Sequence, residues 1–382
     1  MASSTNDDDL FFKTAELSRL MVPADANVAG NVHGGIIMEM MEQSANVAAS
    51  RYFNHYSAAS DAKIHVMTAR VESLTFQQPL LVGDVAKVQA QVVFASHHTL
   101  AVAVKLLSER LATRHEDLVV GNRAIMWIVG HVVRGEDSAD KFELAIAPKL
   151  DPPTKENDKE AFMAYQLASM AYNRRKAHQE ADPASLPNSG MMDEDKDINP
   201  PSSSAKEKQP MAFSSPDDSA VELAQVMLPA DCVTGGGLVG GGVVMKLLDN
   251  ASGVAAVRHC GTNVVTVSVD AVDLAAPVRL GDVLRIRARP IFTSNKSIEI
   301  SLQVIAERYS LGHDNKFQRE EIVAIQQAYF TFVSLAPNSN KALSMRPLEP
   351  KTADDKKLFQ QGKERYEQRK ALRSPTGATK KP

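Results

Sequence analysis

Apolar residues recur at helical spacing from Ile36 through Ile37, Met40, Met41, Ser44, Val47 and Ala48. Met38 and Ala45 widen that face until the segment is apolar on most sides. A helix of this kind is expected to be buried, with a sheet wrapped around it. The later pattern changes period. Val265, Val267, Val269 and Ala271 alternate with Thr266, Ser268 and Asp270, as in a half-buried strand. Leu284, Ile286 and Ala288 continue it, then Ile298, Ile300, Leu302 and Val304, then 328–333. Val85–Phe94, Thr99–Leu107 and Ala124–Val129 are the earlier equivalents. A leading strand is expected from Phe12, with a turn at Met21-Val-Pro-Ala-Asp25.

The pattern occurs twice. Gly35-Ile-Ile-Met-Glu-Met-Met-Glu42 lies over Gly242-Val-Val-Met-Lys-Leu-Leu-Asp249 at a shift of 207 residues. Val47-Ala-Ala49 lies over Val254-Ala-Ala256, Arg51 over Arg258, and Pro23 over Pro229. Pro79, Gly83 and Asp84 match Pro277, Gly281 and Asp282 at a shift of 198, because the first copy carries an insert between Tyr52 and Val66. An internal repeat of this length means two copies of one unit: strand, buried helix, then about four antiparallel strands.

Each copy runs into a charged helical tail. Leu150-Asp-Pro-Pro-Thr154 leads to Tyr172 and Arg174-Arg-Lys-Ala177; Leu348-Glu-Pro-Lys-Thr352 leads to Tyr366 and Arg369-Lys-Ala371. The expected organisation is a disordered N-terminus at 1–11, a first domain at 12–150, and its tail at 151–179. A flexible Pro-, Ser- and charge-rich linker follows at 180–219, then a second domain at 220–345 and a tail and C-terminus at 346–382.

Composition fits two domains: 382 residues, 44% of them hydrophobic, supply two cores. The net charge of −3 and the lack of a long basic block argue against nucleic acid as a partner. Two cysteines, Cys232 and Cys260, make no disulfide framework or zinc spacing, so a reducing compartment is expected. No apolar run reaches the roughly 20 residues of a membrane span. Asp7-Asp-Asp9 precedes the first arginine, Arg19, against a transit peptide, and Lys380-Lys-Pro382 is no peroxisomal address. Together these give a cytoplasmic expectation.

The candidate chemistry sits where Gly30-Asn-Val-His-Gly-Gly35 opens the first helix. Adjacent glycines allow a close backbone approach, and a helix N-terminus favours an anion or a polarised carbonyl. Taken alone, the pattern leaves alternatives open. Glu42 and Asp249 share the more polar side of their helices with Glu39, Asn46, Lys246 and Asn250, and a solvated face would explain them. His33 fits a structural histidine, and Asn31 a loop stabiliser. Ser294-Asn295-Lys296 reads as a turn, or as a phosphate contact through Lys296. Arg51 and Arg258, near the helix ends, read as phosphate contacts or, preferably, as partners of the C-terminal helix dipole.

A buried helix opened by His-Gly-Gly resembles the hotdog fold. Ala24–Gly35, Met245–Asp249, Arg258–Cys260 and Thr293–Ser297 resemble the cytosolic long-chain acyl-CoA thioesterases of the brain acyl-CoA hydrolase type, which have two tandem hotdog domains. The resemblance implies an α+β chain whose two units pair back to back and assemble as a homo-oligomer, a trimer or hexamer of double-hotdog chains. It implies hydrolysis of medium- to long-chain acyl-CoA to fatty acid and coenzyme A, with no cofactor or metal. Catalysis would join Asn31 and the Gly35 amide of one unit to Asp249 of the other. His33, Gly34, Ser294, Asn295 and Lys296 would bind substrate. The second composite site, with Glu42, would be degenerate, since Leu238 and Gly240 replace Asn31 and His33. The serine-hydrolase motif Gly-x-Ser-x-Gly is absent, and no histidine on the catalytic helix serves a hydratase. A non-catalytic acyl-CoA binding or sensing module is the alternative.

Overall fold

The structure is a computed structural model that describes residues 10–28, 30–56, 63–72, 74–111, 118–133, 143–181, 215–233, 237–311, 316–336 and 341–373. Of the stretch 1–11 expected to be disordered, residues 1–9 lie outside the described residues, as does most of the linker, 182–214, while 10 and 11 are helical.

The first repeat contains β1 (Thr14–Leu20), α1 (Gly34–Tyr56), β2 (Lys63–Val71), β3 (Leu74–Thr75), β4 (Asp84–Ala95), β5 (Thr99–Arg110) and β6 (Val119–Val133), followed by the tail α2 (Lys159–Ala181). The second contains β7 (Val221–Val226), α3 (Gly241–Cys260), β8 (Val264–Val269), β9 (Val272–Asp273), β10 (Val283–Thr293), β11 (Ser297–Leu311) and β12 (Phe317–Ser334), with the tail α4 (Ala353–Arg373). Both sheets have six strands, ordered β1-β4-β5-β6-β2-β9 and β3-β8-β12-β11-β10-β7. The pairings are antiparallel. Each sheet wraps a central helix, which is the hotdog arrangement, twice over.

The two units are not separate domains joined by a tether. The strand after each helix ends early and crosses to the other sheet. Arg70 and Val71 pair with Asp273 and Val272, and Leu74 and Thr75 pair with Val269 and Ser268. The alternation that reads as one strand to Ala271 therefore breaks at Asp270 and Ala271, and the exchanged ends knit the sheets together. The two central helices pack on each other inside this shell. Met41, Ala45 and Phe53 of α1, and Met245, Leu248 and Ala251 of α3, are fully buried in one continuous core.

Other boundaries differ from the sequence reading. Tyr52–Tyr56 is the last turn of α1, not insert, and Lys63–Val66 already belongs to β2. Phe11 and Phe12 are placed: Arg51 lies over the Phe11 ring at 4.4 Å, and Phe12 stacks on His55. The last linker residues are fixed by a one-turn helix, Pro216–Ser219, with Ser215 and Ser219 buried. Gly83 and Gly281 hold the same place in the two repeats with φ of +90° and +85°, so the turn before β4 and β10 needs glycine.

The tails lie on the outer sheet faces. Ala161 and Ala168 of α2 bury against Val93, Ala101 and Trp127. Gly362 of α4 comes so close to β10 that an added Cβ would stand 2.5 Å from Phe292 Cβ.

Candidate active site

The loop before α1 is pinned by its backbone. The Val32 N–H donates to Leu80 O (2.9 Å), the His33 N–H to Asp25 O (2.8 Å), and the Asn27 N–H to Asn31 O (2.7 Å). This aims the N-terminus of α1 at the middle of α3. The contact is close because both helices open on glycine pairs. A Cβ on Gly35 would stand 2.8 Å from Lys246 Cα, and one on Gly242 would stand 2.7 Å from Glu39 Cα. The two helices therefore cross antiparallel, each N-terminus on the acid of the other.

At the first junction Asp249, 2% exposed, is met by three donors. The Gly35 N–H donates to Oδ2 at 2.8 Å, and the Thr266 hydroxyl donates to Oδ1 at 2.7 Å. His33 Nδ1 lies 3.0 Å from Oδ2. The Gly35 nitrogen is also 3.0 Å from His33 Nδ1. A carboxylate only accepts, so the proton between His33 and Asp249 belongs on Nδ1, and the Gly35 N–H belongs to the carboxylate. The hydrogen bond to Asp249 raises the His33 pKa above its ordinary 6.5, against burial, which pushes it down. Gly34 lines the same point: a Cβ there would meet Asp249 Oδ2 at 3.0 Å and Phe76 at 3.3 Å.

The second junction repeats the plan with different contents. Glu42, 1% exposed, accepts from the Thr68 hydroxyl (2.8 Å), the Asn46 amide (2.7 Å) and the Gly241 N–H (3.2 Å), all through Oε1. Burial drives its pKa up, opposed by these bonds. Gly240 stands where His33 does, and no side chain fits there without movement, since a Cβ would meet Val233 Cγ1 at 2.6 Å. Leu238 is buried and bridges to Arg279 as Asn31 bridges to Leu81.

The structure thus brings together Asp249, His33, Gly34 and Gly35. Asn31 takes the loop-stabilising place that its pattern allowed. Its N–H donates to Asn27 Oδ1 at 3.2 Å, closing a turn, and among the described residues its carboxamide makes no hydrogen bond to Asp249. The Gly35 amide, expected to face a substrate oxygen, is occupied by Asp249. Ser294, Asn295 and Lys296 are remote from this centre. They close the β10–β11 hairpin through Ser294–Ser297 bonds, and Asn295 O accepts from Met345, which packs on Cys260 at the far end of α3. Along the helix that is about 16 Å beyond Asp249. Arg51 and Arg258 act alike in the two repeats, donating to Thr14 O (2.8 Å) and Ala220 O (2.9 Å), so they anchor the leading segments rather than a phosphate.

Sequence reasoning missed Thr266 and Thr68. They hold one position in the two repeats, on the first strand after the helix, and period-two alternation assigns them to the polar face. Only the packing shows that this face meets the buried acid of its own repeat. Asn27, in the loop before α1, was not singled out, and Asn46, one helical turn after Glu42, was named only as part of the polar side of its helix.

A family model described as Thioesterase superfamily matches residues 29–113 and 236–311, one stretch in each repeat. The cytosolic acyl coenzyme A thioester hydrolase of Rattus norvegicus is 35% identical over 94% of this chain and 83% of its own length. That of Homo sapiens is 33% identical over 93% of this chain and 83% of its own length. Among solved structures, an acyl-CoA hydrolase from Staphylococcus aureus in complex with butyryl coenzyme A, coenzyme A and coenzyme A disulfide is 26% identical. It covers 42% of this chain and 93% of that one, with a TM-score of 0.35. With an acid held between two paired hotdog units and relatives matched over nearly its whole length, the chain belongs to the acyl-CoA thioester hydrolases of the thioesterase superfamily.

Proposed function

We propose that the chain hydrolyses medium- to long-chain acyl-CoA at the Asp249 junction. One observation carries the reading: a carboxylate from one repeat sits on the helix N-terminus of the other, between a histidine and a threonine. Asp249 acts as general base on a water, a role worth roughly 10²–10⁴ in rate. The Gly35 N–H and the Thr266 hydroxyl orient it. His33 Nδ1 is committed to Asp249, which leaves Nε2 to face the thioester carbonyl. Its side chain is 27% exposed, and an imidazolium there stabilises the developing oxyanion. Loss of the carbonyl–sulfur bond, with the proton taken up by Asp249 passing to the departing sulfur, then gives a fatty acid and the thiol of coenzyme A. Asn27 and Asn31 close one turn beside His33, and both carboxamides are candidates for holding the water.

The expected working form is a trimer or hexamer of double-hotdog chains, and a cytosolic location is in keeping with the printed names of the relatives. Among the described residues no helix is long and apolar enough to cross a membrane.

The test is thiol release from palmitoyl-CoA. Asp249→Asn and His33→Gln are each expected to lose roughly 100-fold or more, and Asp249→Asn far more than Glu42→Gln. Asn27→Ala and Asn31→Ala, run beside them, show which carboxamide serves the reaction. Binding of palmitoyl-CoA by the unmodified chain without thiol release would make it a binding module instead.

A further inference from the structure

The tail helix α2 buries one side, through Ala161 and Ala168, against Val93, Ala101 and Trp127 of the first repeat's sheet. Its other side is not polar. Met163, Leu167 and Met170 stand there 55%, 60% and 61% exposed, at helical spacing. Glu160 and Arg174, both exposed, extend the same line at each end. The whole line, Glu160-Met163-Leu167-Met170-Arg174, alternates steps of three and four residues. That is the seam of a coiled coil, about 21 Å long at a rise of 1.5 Å per residue.

The other tail shows that covering a sheet does not call for such a seam. A shift of 194 residues places Ala168 over Gly362 and Tyr172 over Tyr366. At that shift the line in α4 reads Asp354, Lys357, Gln361, Glu364 and Gln368, polar throughout. Single exposed apolar residues are ordinary, but an aligned run of three marks a surface that another surface covers.

The charges at its ends say which one. Laid antiparallel on its own copy, the seam puts Leu167 on Leu167, Met163 on Met170 and Glu160 on Arg174. A parallel copy would set glutamate on glutamate and arginine on arginine. Glu160 already accepts from Lys105 at 2.9 Å and Arg123 at 3.0 Å, yet stays 58% exposed, and a carboxylate has room for a further donor.

We propose that α2 is a self-docking surface, pairing antiparallel with α2 of a second copy of the chain across a twofold axis at Leu167. A contact three turns long is small beside the roughly 1,200 Å² of a stand-alone interface, so it adds to other contacts between chains. In the expected trimeric ring, three such pairs made together join two trimers into the hexamer. That last step rests on the ring; the pairing of α2 does not.

Sedimentation velocity of the full chain tests the pairing. The unmodified chain is expected as an even-numbered assembly, and Leu167→Glu as one of half the mass, its association weakened at least about tenfold. Arg174→Glu, which sets glutamate against glutamate, is expected to weaken association about threefold, and Arg174→Lys to keep it. Leu167 is exposed, so Leu167→Glu is expected to keep its fold and its thiol release within about twofold. As a second measurement, a short bis-maleimide is expected to link Leu167→Cys chains in pairs, above the background of Cys232 and Cys260 in the unmodified chain. Lys357→Cys, on the matching line of α4, is expected to stay at that background. Equal masses for the unmodified chain and Leu167→Glu, or no link through Leu167→Cys, overturn the proposal. So does flotation of the unmodified chain, but not of Leu167→Glu, with vesicles of phosphatidylcholine and phosphatidylserine at unchanged mass, which would make the seam a lipid contact. Absence of thiol release from the unmodified chain would instead sink the hydrolase reading and leave the masses interpretable.

Discussion

Glu39 and Lys246 occupy the same position in the two repeats, 207 residues apart, and form an ion pair with each other, Oε2 to Nζ at 3.1 Å. Residues that meet their own equivalents lie on the approximate twofold axis between the repeats. Pairing two copies of either repeat would bring glutamate to glutamate or lysine to lysine at this point. The opposite charges therefore favour the pairing of repeat one with repeat two. Lys246→Glu is expected to destabilise the chain by about 1 kcal/mol, and the exchanged double variant Glu39→Lys with Lys246→Glu to recover most of it. Chemical denaturation of the four proteins completes the cycle; equal losses in the single and double variants would show that the charges do not couple.

Gly35→Ala and Gly242→Ala make the same steric offence, since each added Cβ falls under 3 Å from a backbone atom of the opposing helix. Each is expected to cost about 1–3 kcal/mol. Only Gly35→Ala displaces the amide that holds Asp249, so its loss of turnover should exceed that of Gly242→Ala at matched stability. Thermal melts and thiol release, measured together, separate the two effects.

The raised pKa of His33 links stability to pH. Its pairing with Asp249 contributes fully below the unfolded value near 6.5 and is lost as pH rises through the higher folded value. His33→Gln should therefore be less stable than the unmodified chain at pH 6, and the gap should narrow by pH 9. A gap independent of pH would mean that the imidazolium does not bind Asp249.

Glu42 also has a raised folded pKa, so burial of its carboxyl favours the fold below 4.5 and works against it increasingly as pH rises toward the folded value. Glu42→Gln is expected to match the unmodified chain near pH 4 and to melt higher at pH 8. Equal melting curves at pH 8 would show that Glu42 ionises there without penalty.

The tail α4 is clamped by charge. Arg365 and Arg369 each donate to Glu299 at 2.6 Å, Arg369 also reaches Asp270 at 2.9 Å, and Arg365 lies over the Tyr329 ring at 3.6 Å. Glu299 is 1% exposed, so Arg369→Ala leaves a buried charge half-paired and should cost about 3 kcal/mol. The matching Arg175 pairs with Glu72, which is more exposed and also held by Arg70 and Trp127. Arg175→Ala should cost about 1 kcal/mol. Urea midpoints compare them directly.

The sequence by itself determined the repeat, the buried helix and the strand set, while the pairing of Asp249 with the first loop came only with the resemblance to the tandem hotdog thioesterases. The first three follow from periodicity and from local backbone demands such as paired glycines, which act within a few residues. It also marked Leu238 and Gly240 as departures at the second loop. It could not show where polar side chains on alternating strands point once two sheets exchange their ends. Thr266, read as a solvent-side residue, meets a buried acid from the same repeat across the junction. The turn made by Asn27 and Asn31, the capture of the Gly35 amide by Asp249, and the distance of Ser294–Lys296 from the site were likewise decided by tertiary packing. Hydrogen bonds and excluded volume between residues some 200 positions apart select these arrangements, and no local pattern records which partner wins.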